Sequence, residues 1–445
     1  MAVGTAAASR TGQVAGPRPV RGPGGRRPRD NSWLARLESP LSAYYLVLGS
    51  TVALVVIGLV MVLSSSSVES LRDTHLHSSY SYFGKQALFA GLGVPLAWIA
   101  SRLGVRHWQS VSWLLLAGAA GLLALVPFVG SSVNGNQNWI AFGPVTVQPS
   151  EAAKLAFLVW AATILVRKQD LQLHSLSHLL VPVVPAAMLL LALVLAGRDL
   201  GTAMVLMAIV LGVLFVAGAP LRVFATAGLG AAVAVAFLVA TSANRLGRIS
   251  SWMGFGGQDD AGLNWQPLHG AYALATGGWW GVGLGASKEK WFWLPEAHND
   301  FIFAIIGEEL GLPGTLAVLA LFGLLGLGLL RLVTVSEDLF VKVVTGGVLV
   351  WVVGQAVVNI GAVLGMLPVV GVPLPLVSSG GSALVVTLIA LGMVLGFARR
   401  VPGAPEALSA RAGVVRRSLA VLPHRAAAAS GGSATRHRSA GRGGR

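Results

Sequence analysis

Cysteine is absent from all 445 residues, which excludes disulfides, thiol nucleophiles and Cys-ligated metal centres. Charge is scarce as well: Asp, Glu, Lys and Arg make up 11% of the chain, against 54% hydrophobic residues and a mean hydropathy of +0.72. A soluble domain of this size needs a wettable surface, and this composition does not supply one. What is abundant instead is apolar runs, recurring from Tyr44 to Phe397. Their length, about 18 to 25 residues, is that needed to cross a hydrocarbon core of roughly 30 Å.

Acidic residues are the rarer sign, and the formal net charge is +15. Its distribution argues against nucleic acid. Residues 1–40 hold seven Arg and two acids, and residues 401–445 hold eight Arg and one acid, so the tails account for +12. Both are rich in Gly, Ala, Ser, Pro and Arg without apolar periodicity, and are expected to be disordered cytoplasmic segments attracted to anionic membrane lipid. About forty polar residues precede the first apolar run, so a cleaved signal peptide is not expected.

The composition predicts an all-α, polytopic integral membrane protein of about ten transmembrane helices. The spans fall near residues 43–64, 86–101, 110–130, 151–166, 178–196, 200–218, 222–241, 301–330, 342–367 and 381–398. With the N-terminal tail inside, each short cytoplasmic turn is basic: Arg102 and Arg106, Arg167 and Lys168, Arg222, Arg331 and Lys342, Arg399 and Arg400. Segments 131–150 and 368–380 have no Lys or Arg, as the positive-inside rule expects of external loops. The membrane body covers 41–400. Its longest interruption, 242–300 between helices 7 and 8, is external and carries Trp252, Trp265, Trp279, Trp280, Trp291 and Trp293, which suit anchoring at the outer leaflet.

An ionisable group in or beside a membrane helix costs several kcal/mol unless it is paired or wet, so each is a functional candidate. These are Glu151 with Lys154, Arg198 with Asp199, Asp300, and the pair Glu308 and Glu309. Glu151 and Lys154 stand at i and i+3 after Ser150, which is placed to cap their helix; a local ion pair and a phosphate contact both fit. Asp199 fits a helix cap. The segment Leu294 to Phe303 brings Glu296, His298 and Asp300 to the end of the external loop. Asp300 suits capping the next helix, but a cap does not need the other two beside it. Glycosyl transfer needs a base for an acceptor hydroxyl and positive charge or metal for the departing phosphate, and a carboxylate at the membrane surface meets the first need.

Four stretches, Gln148 to Lys154, Asp199 to Thr202, Leu294 to Phe303 and Pro373 to Ser382, resemble motifs of the SEDS (shape, elongation, division and sporulation) family in order. The resemblance covers residues from about 40 to 400, and Gly283 to His298 is more similar to division-type than to elongation-type members. It implies a glycosyltransferase that polymerises lipid II, the undecaprenyl-pyrophosphate disaccharide pentapeptide, with Asp300 matching the family's essential aspartate. Lys154, with Arg198 or Arg245, would hold donor pyrophosphate, and Glu151, Asp199, Glu296, His298, Ser378 and Ser379 are further substrate-binding candidates. A divalent cation, Mg or Mn, fits the leaving-group chemistry, although the sequence shows no dedicated cage. The implied partners are a class B penicillin-binding protein transpeptidase and other division proteins. The chain departs from the family at Asn138, a usual Arg, at Arg198, a usual Pro, at Asn299, a usual Thr, and at Ser379, a usual Tyr. Rival readings are a lipid II flippase, a division scaffold and an elongation-type polymerase.

Overall fold

A computed structural model describes residues 41–67, 80–133, 136–143, 145–168, 180–240, 247, 252, 265–291 and 293–405. The tails expected to be disordered, apart from residues 401–405, and Arg245 lie outside these residues. Each of the ten expected apolar stretches overlaps helix among the described residues. Among the described residues, seven helical spans are long and apolar enough to cross a membrane. They are α1 (Ser42–Ser66), α2 (Ser81–Arg102), α3 (Val105–Val129), α4 (Pro149–Arg167), α9 (Ile302–Val335), the composite span Leu339–Val363 and α12 (Gly381–Ala398). The composite span runs from α10 (Leu339–Leu349) through a π-helical turn, Val350–Gly354, into α11 (Gln355–Val363). The expected spans 178–196, 200–218 and 222–241 hold the apolar helices α5 (Val183–Ala196), α6 (Leu200–Val216) and α7 (Leu221–Ala240).

Two features escaped the sequence reading. Segment 131–150 folds as an antiparallel sheet of β1 (Ser131–Val133), β2 (Asn136–Phe142) and β3 (Val145–Val147), with Ser131 opposite Trp139 and Ile140 opposite Val147. Within the interruption expected at 242–300, Trp265–Gly277 forms a further helix, α8. Trp279 and Trp280 beyond it are strongly exposed, at 74% and 84%.

The core is set by α4, whose membrane window is 83% buried, against 22% for α2. Ala152, Ala153, Ala156, Ala161 and Ala162 leave little side chain between its backbone and its neighbours, and small residues are what allow membrane helices to close on one another. Consequently α3, α5, α6, α10 and α12 all pack against it. Its first two turns carry Glu151 and Lys154, so these charges are buried by the same packing that centres the helix.

Candidate active site

Between α11 and α12 the chain runs without regular structure from Leu367 to Gly380, and this strip gathers the motifs. Gln355 and Asn359, one turn apart on α11, face it. Asn359 Nδ2 donates to the Asp300 carbonyl (2.8 Å) and to the Val372 carbonyl (2.7 Å), while Gln355 Nε2 donates to Pro373 O (2.8 Å). From the strip, Ser378 Oγ donates to Asn299 O (2.6 Å) and accepts from Leu374 N (2.8 Å); Ser379 N donates to His298 O (3.0 Å). Unpaired backbone groups at membrane depth are costly, and here polar side chains on helices satisfy them. The result holds His298, Asn299 and Asp300 by their main chain.

Asp300 is half-buried and lines a small cavity with Phe301, Asn359, Val370, Gly371 and Val372. The expected cap does not form: Phe301 is the N-cap residue of α9, with no side-chain capping bond. Gly371, at φ +74°, lies so near that a Cβ there would sit 3.5 Å from Asp300 Oδ2. Glu296 takes a left-handed φ of +59°, and its carboxylate accepts from Asn299 Nδ2 (3.3 Å). The His298 ring is buried with its centroid 4.8 Å from that of Tyr82.

Asp199 does cap α6, accepting from Thr202 N (2.9 Å), as the sequence allowed. It also accepts from Thr202 Oγ1 (2.8 Å), Gln148 Nε2 (2.8 Å) and Asn138 Nδ2 (3.0 Å), joining the sheet and the entry to α4. The turn packs on the strip, since a Cβ on Gly201 would meet Val372 Cγ2 at 2.9 Å and Gly371 O at 3.3 Å. Arg198 beside it is exposed at φ +61°. Among the described residues, the non-glycine residues with positive φ are Arg198, Glu296 and Leu376, the first adjoining one motif and the others within two more. Such backbone costs about 1 kcal/mol or more and concentrates at functional sites.

A family model described as "Cell cycle protein", for FtsW, RodA and SpoVE, matches residues 44–401. The chain belongs to this family. The probable peptidoglycan glycosyltransferase FtsW of Mycobacterium tuberculosis is 40% identical over 403 residues, covering 90% of this chain and 76% of that protein. Stage V sporulation protein E of Bacillus subtilis is 36% identical over 351 residues, 78% of this chain and 95% of that one. The crystal structure of Thermus thermophilus RodA superposes with a TM-score of 0.58 at 27% identity, covering 80% of this chain and 97% of RodA. A chain in a structure on the coordination of polymerization and crosslinking by a peptidoglycan synthase complex gives 0.65 at 28% identity, covering 80% and 97%.

In this FtsW/RodA/SpoVE family member, Lys154 is 1% exposed and its Nζ lies 2.8 Å from Glu151 Oε1. The same ammonium reaches Gln355 Oε1 (3.4 Å) and stands 4.9 Å from the centre of the Trp351 ring. Ser150 is not the expected cap, because Gln148 occupies that position and Ser150 lies within the first turn. Sequence reasoning passed over Gln86, Gln148, Gln355 and Asn359. Gln86 reaches the strip through Ser378 O (3.1 Å) and Gly380 N (3.3 Å). The available signal was Gln355 and Asn359 at i and i+4 in an apolar span, a spacing that places two amides on one face.

Proposed function

We propose that the chain is a peptidoglycan glycosyltransferase that polymerises lipid II into glycan strands of the septal wall, with Asp300 as general base. The observation that carries this reading is the convergence of separate motifs on Asp300. Asn359, the 370–382 strip and the Asp199 turn fix its surroundings through the main chain, while its carboxylate stays beside a cavity and does not cap a helix.

In the reaction, the C4 hydroxyl of an incoming lipid II sugar attacks the anomeric carbon of a polyprenyl-pyrophosphoryl glycan. The hydroxyl proton passes to Asp300 as the new carbon–oxygen bond forms. The bond from the anomeric carbon to the pyrophosphate oxygen breaks, releasing polyprenyl pyrophosphate. General-base assistance of this kind is worth about 10²- to 10⁴-fold. Exposed Arg198 is the cation we assign to the pyrophosphate. Lys154, enclosed by Glu151, Gln355 and Trp351, acts instead through Gln355 on the strip. Among the described residues no three His, Asp or Glu side chains gather to form a metal shell.

Both termini are assigned to the cytoplasm and the Asp300 end of the bundle to the exterior. In support, Arg399 and Arg400 cluster at the opposite end, where Arg399 meets Tyr44 OH (2.9 Å) and Arg400 meets Leu103 O (2.9 Å). Curated relatives named FtsW, at 40% identity, favour a division role over an elongation role, the RodA structure being 27% identical. A class B penicillin-binding protein is the partner we assign, supported by the synthase complex above.

The test is purified protein with fluorescent lipid II, with and without the partner transpeptidase. Polymer is expected, and its loss in Asp300→Asn. Absence of polymer from folded protein with partner present would leave a flippase or scaffold.

A further inference from the structure

Eight residues beyond Asp300, α9 carries two adjacent carboxylates that the proposed reaction does not use. Glu308 and Glu309 are 0% and 1% exposed. Three residues further on, the helix breaks: Gly311 has φ +65° and ψ −158°, and Pro313 has no N–H. In an unbroken helix the carbonyls of Glu308 and Glu309 would accept from residues 312 and 313. Here Leu312 N turns to Gly278 O (3.1 Å) and Pro313 has nothing to donate, so both carbonyls need other partners. The external loop supplies them, with Val282 N on Glu308 O (2.9 Å) and Gly283 N on Glu309 O (3.0 Å). The approach is close enough to need glycine, since a Cβ on Gly277 would meet Gly307 O at 1.9 Å.

The side chains repeat this attachment. Glu308 accepts from Ser287 Oγ and from Lys288 N (2.8 Å). Glu309 accepts from Lys290 Nζ (3.2 Å) and from Ser64 Oγ of α1, 2.7 and 2.6 Å from its two oxygens. Lys290 Nζ also donates to Gly285 O (2.7 Å), and Lys290 N to Ser287 Oγ (3.2 Å). The ion pair between residues 290 and 309 therefore closes a loop of chain that holds Glu296, His298 and Asp300.

We propose that Lys290, Glu309, Ser64, Ser287 and Glu308 form a clasp that positions Asp300 by pinning both ends of the segment carrying it. Its catalytic consequence rests on the glycosyltransferase reading; its mechanical content does not. The clasp residues are positioning residues. Closing the loop removes the freedom that residues 291–300 would otherwise have. A misplacement of about 1 Å at a reacting group costs on the order of a hundredfold in rate.

Two readouts separate the clasp from the reaction. The chain has no cysteine, so Leu294→Cys, at a site 3% exposed, introduces a unique buried thiol within the pinned segment. In the Leu294→Cys background, Lys290→Met/Glu309→Gln is expected to raise maleimide labelling about tenfold over the background alone, with the thermal midpoint within a few degrees. Ser64→Ala, which detaches only the α1 leg, is expected to give a smaller rise and covers the case in which the double variant fails to fold. With the native Leu294, the same variants are expected to lower kcat for lipid II polymerisation about tenfold or more, with KM within about twofold. Unchanged labelling in folded variants would overturn the clasp, whatever the activity. Faster labelling with parental kcat would overturn its positioning role, as would activity that falls only in step with the folded fraction. Retention of polymerisation by Asp300→Asn would instead overturn the base assignment and leave the labelling result standing.

Discussion

Two kinds of buried charge stand side by side at one end of this bundle, and the protein treats them in opposite ways. Lys154 with Glu151, and Lys290 with Glu309, are sealed, each cation within about 3 Å of its carboxylate and with polar groups of other helices filling the remaining positions. Asp300 is half-buried, is held by its carbonyl and lines a cavity. The contrast separates roles. A charge enclosed by its counter-ion stabilises or positions, because removing one partner strands the other in low dielectric. A charge whose main chain is pinned and whose residue lines a cavity suits the general-base role proposed for Asp300.

The largest expected effect falls on the sealed side. Lys154→Met strands Glu151 and is expected to cost about 3–5 kcal/mol of stability. Lys154→Met/Glu151→Gln should recover most of it, as read by thermal unfolding in detergent. A single variant as stable as the parent would break the comparison. Asp300→Asn should do the reverse, lowering polymerisation at least about a hundredfold while the unfolding midpoint barely moves. If Asp300→Asn instead unfolds the protein, the aspartate belongs with the sealed charges.

Smaller effects sharpen the distinction. Arg198→Gln is expected to raise KM for lipid II by about tenfold with kcat nearly kept, since an exposed cation that binds the donor equally in ground and transition states acts through binding alone. Gly371→Ala forces a left-handed residue beside Asp300 Oδ2 and is expected to destabilise by about 1–2 kcal/mol. Ser150→Ala should change stability by less than about 0.5 kcal/mol, because that hydroxyl is not a cap. A loss of about 1 kcal/mol there would restore the capping role the sequence suggested.

Much of this site was legible in the sequence because ionisable residues are expensive in a membrane and so stand out against an apolar background. Glu151, Lys154, Asp199 and Asp300 were visible on that ground alone. The uncharged residues that join them were not. Gln86 and Asn359 look like incidental polar substitutions until the fold brings each within bonding distance of a backbone carbonyl. The two capping assignments that failed, at Ser150 and Asp300, failed for a related reason. A cap is decided by where the first helical residue falls, and a shift of one or two positions removes it.

By itself the sequence determined that this chain lives in a membrane, where its apolar stretches lie, which residues carry charge there, and the family to which it belongs. Hydrophobic length and the cost of charge are local properties, so a linear reading recovers them. Only the tertiary structure decided which charges are sealed and which border a cavity. That depends on five helices packing on alanine-rich α4, which carries Lys154, and on a strip between α11 and α12 whose Gly371 approaches Asp300 from about 70 residues away. It depends as well on a glycine and a proline in α9 freeing two carbonyls for Val282 and Gly283 to occupy. Close packing and hydrogen bonding between distant segments set these outcomes, and neither has a signature in residue order.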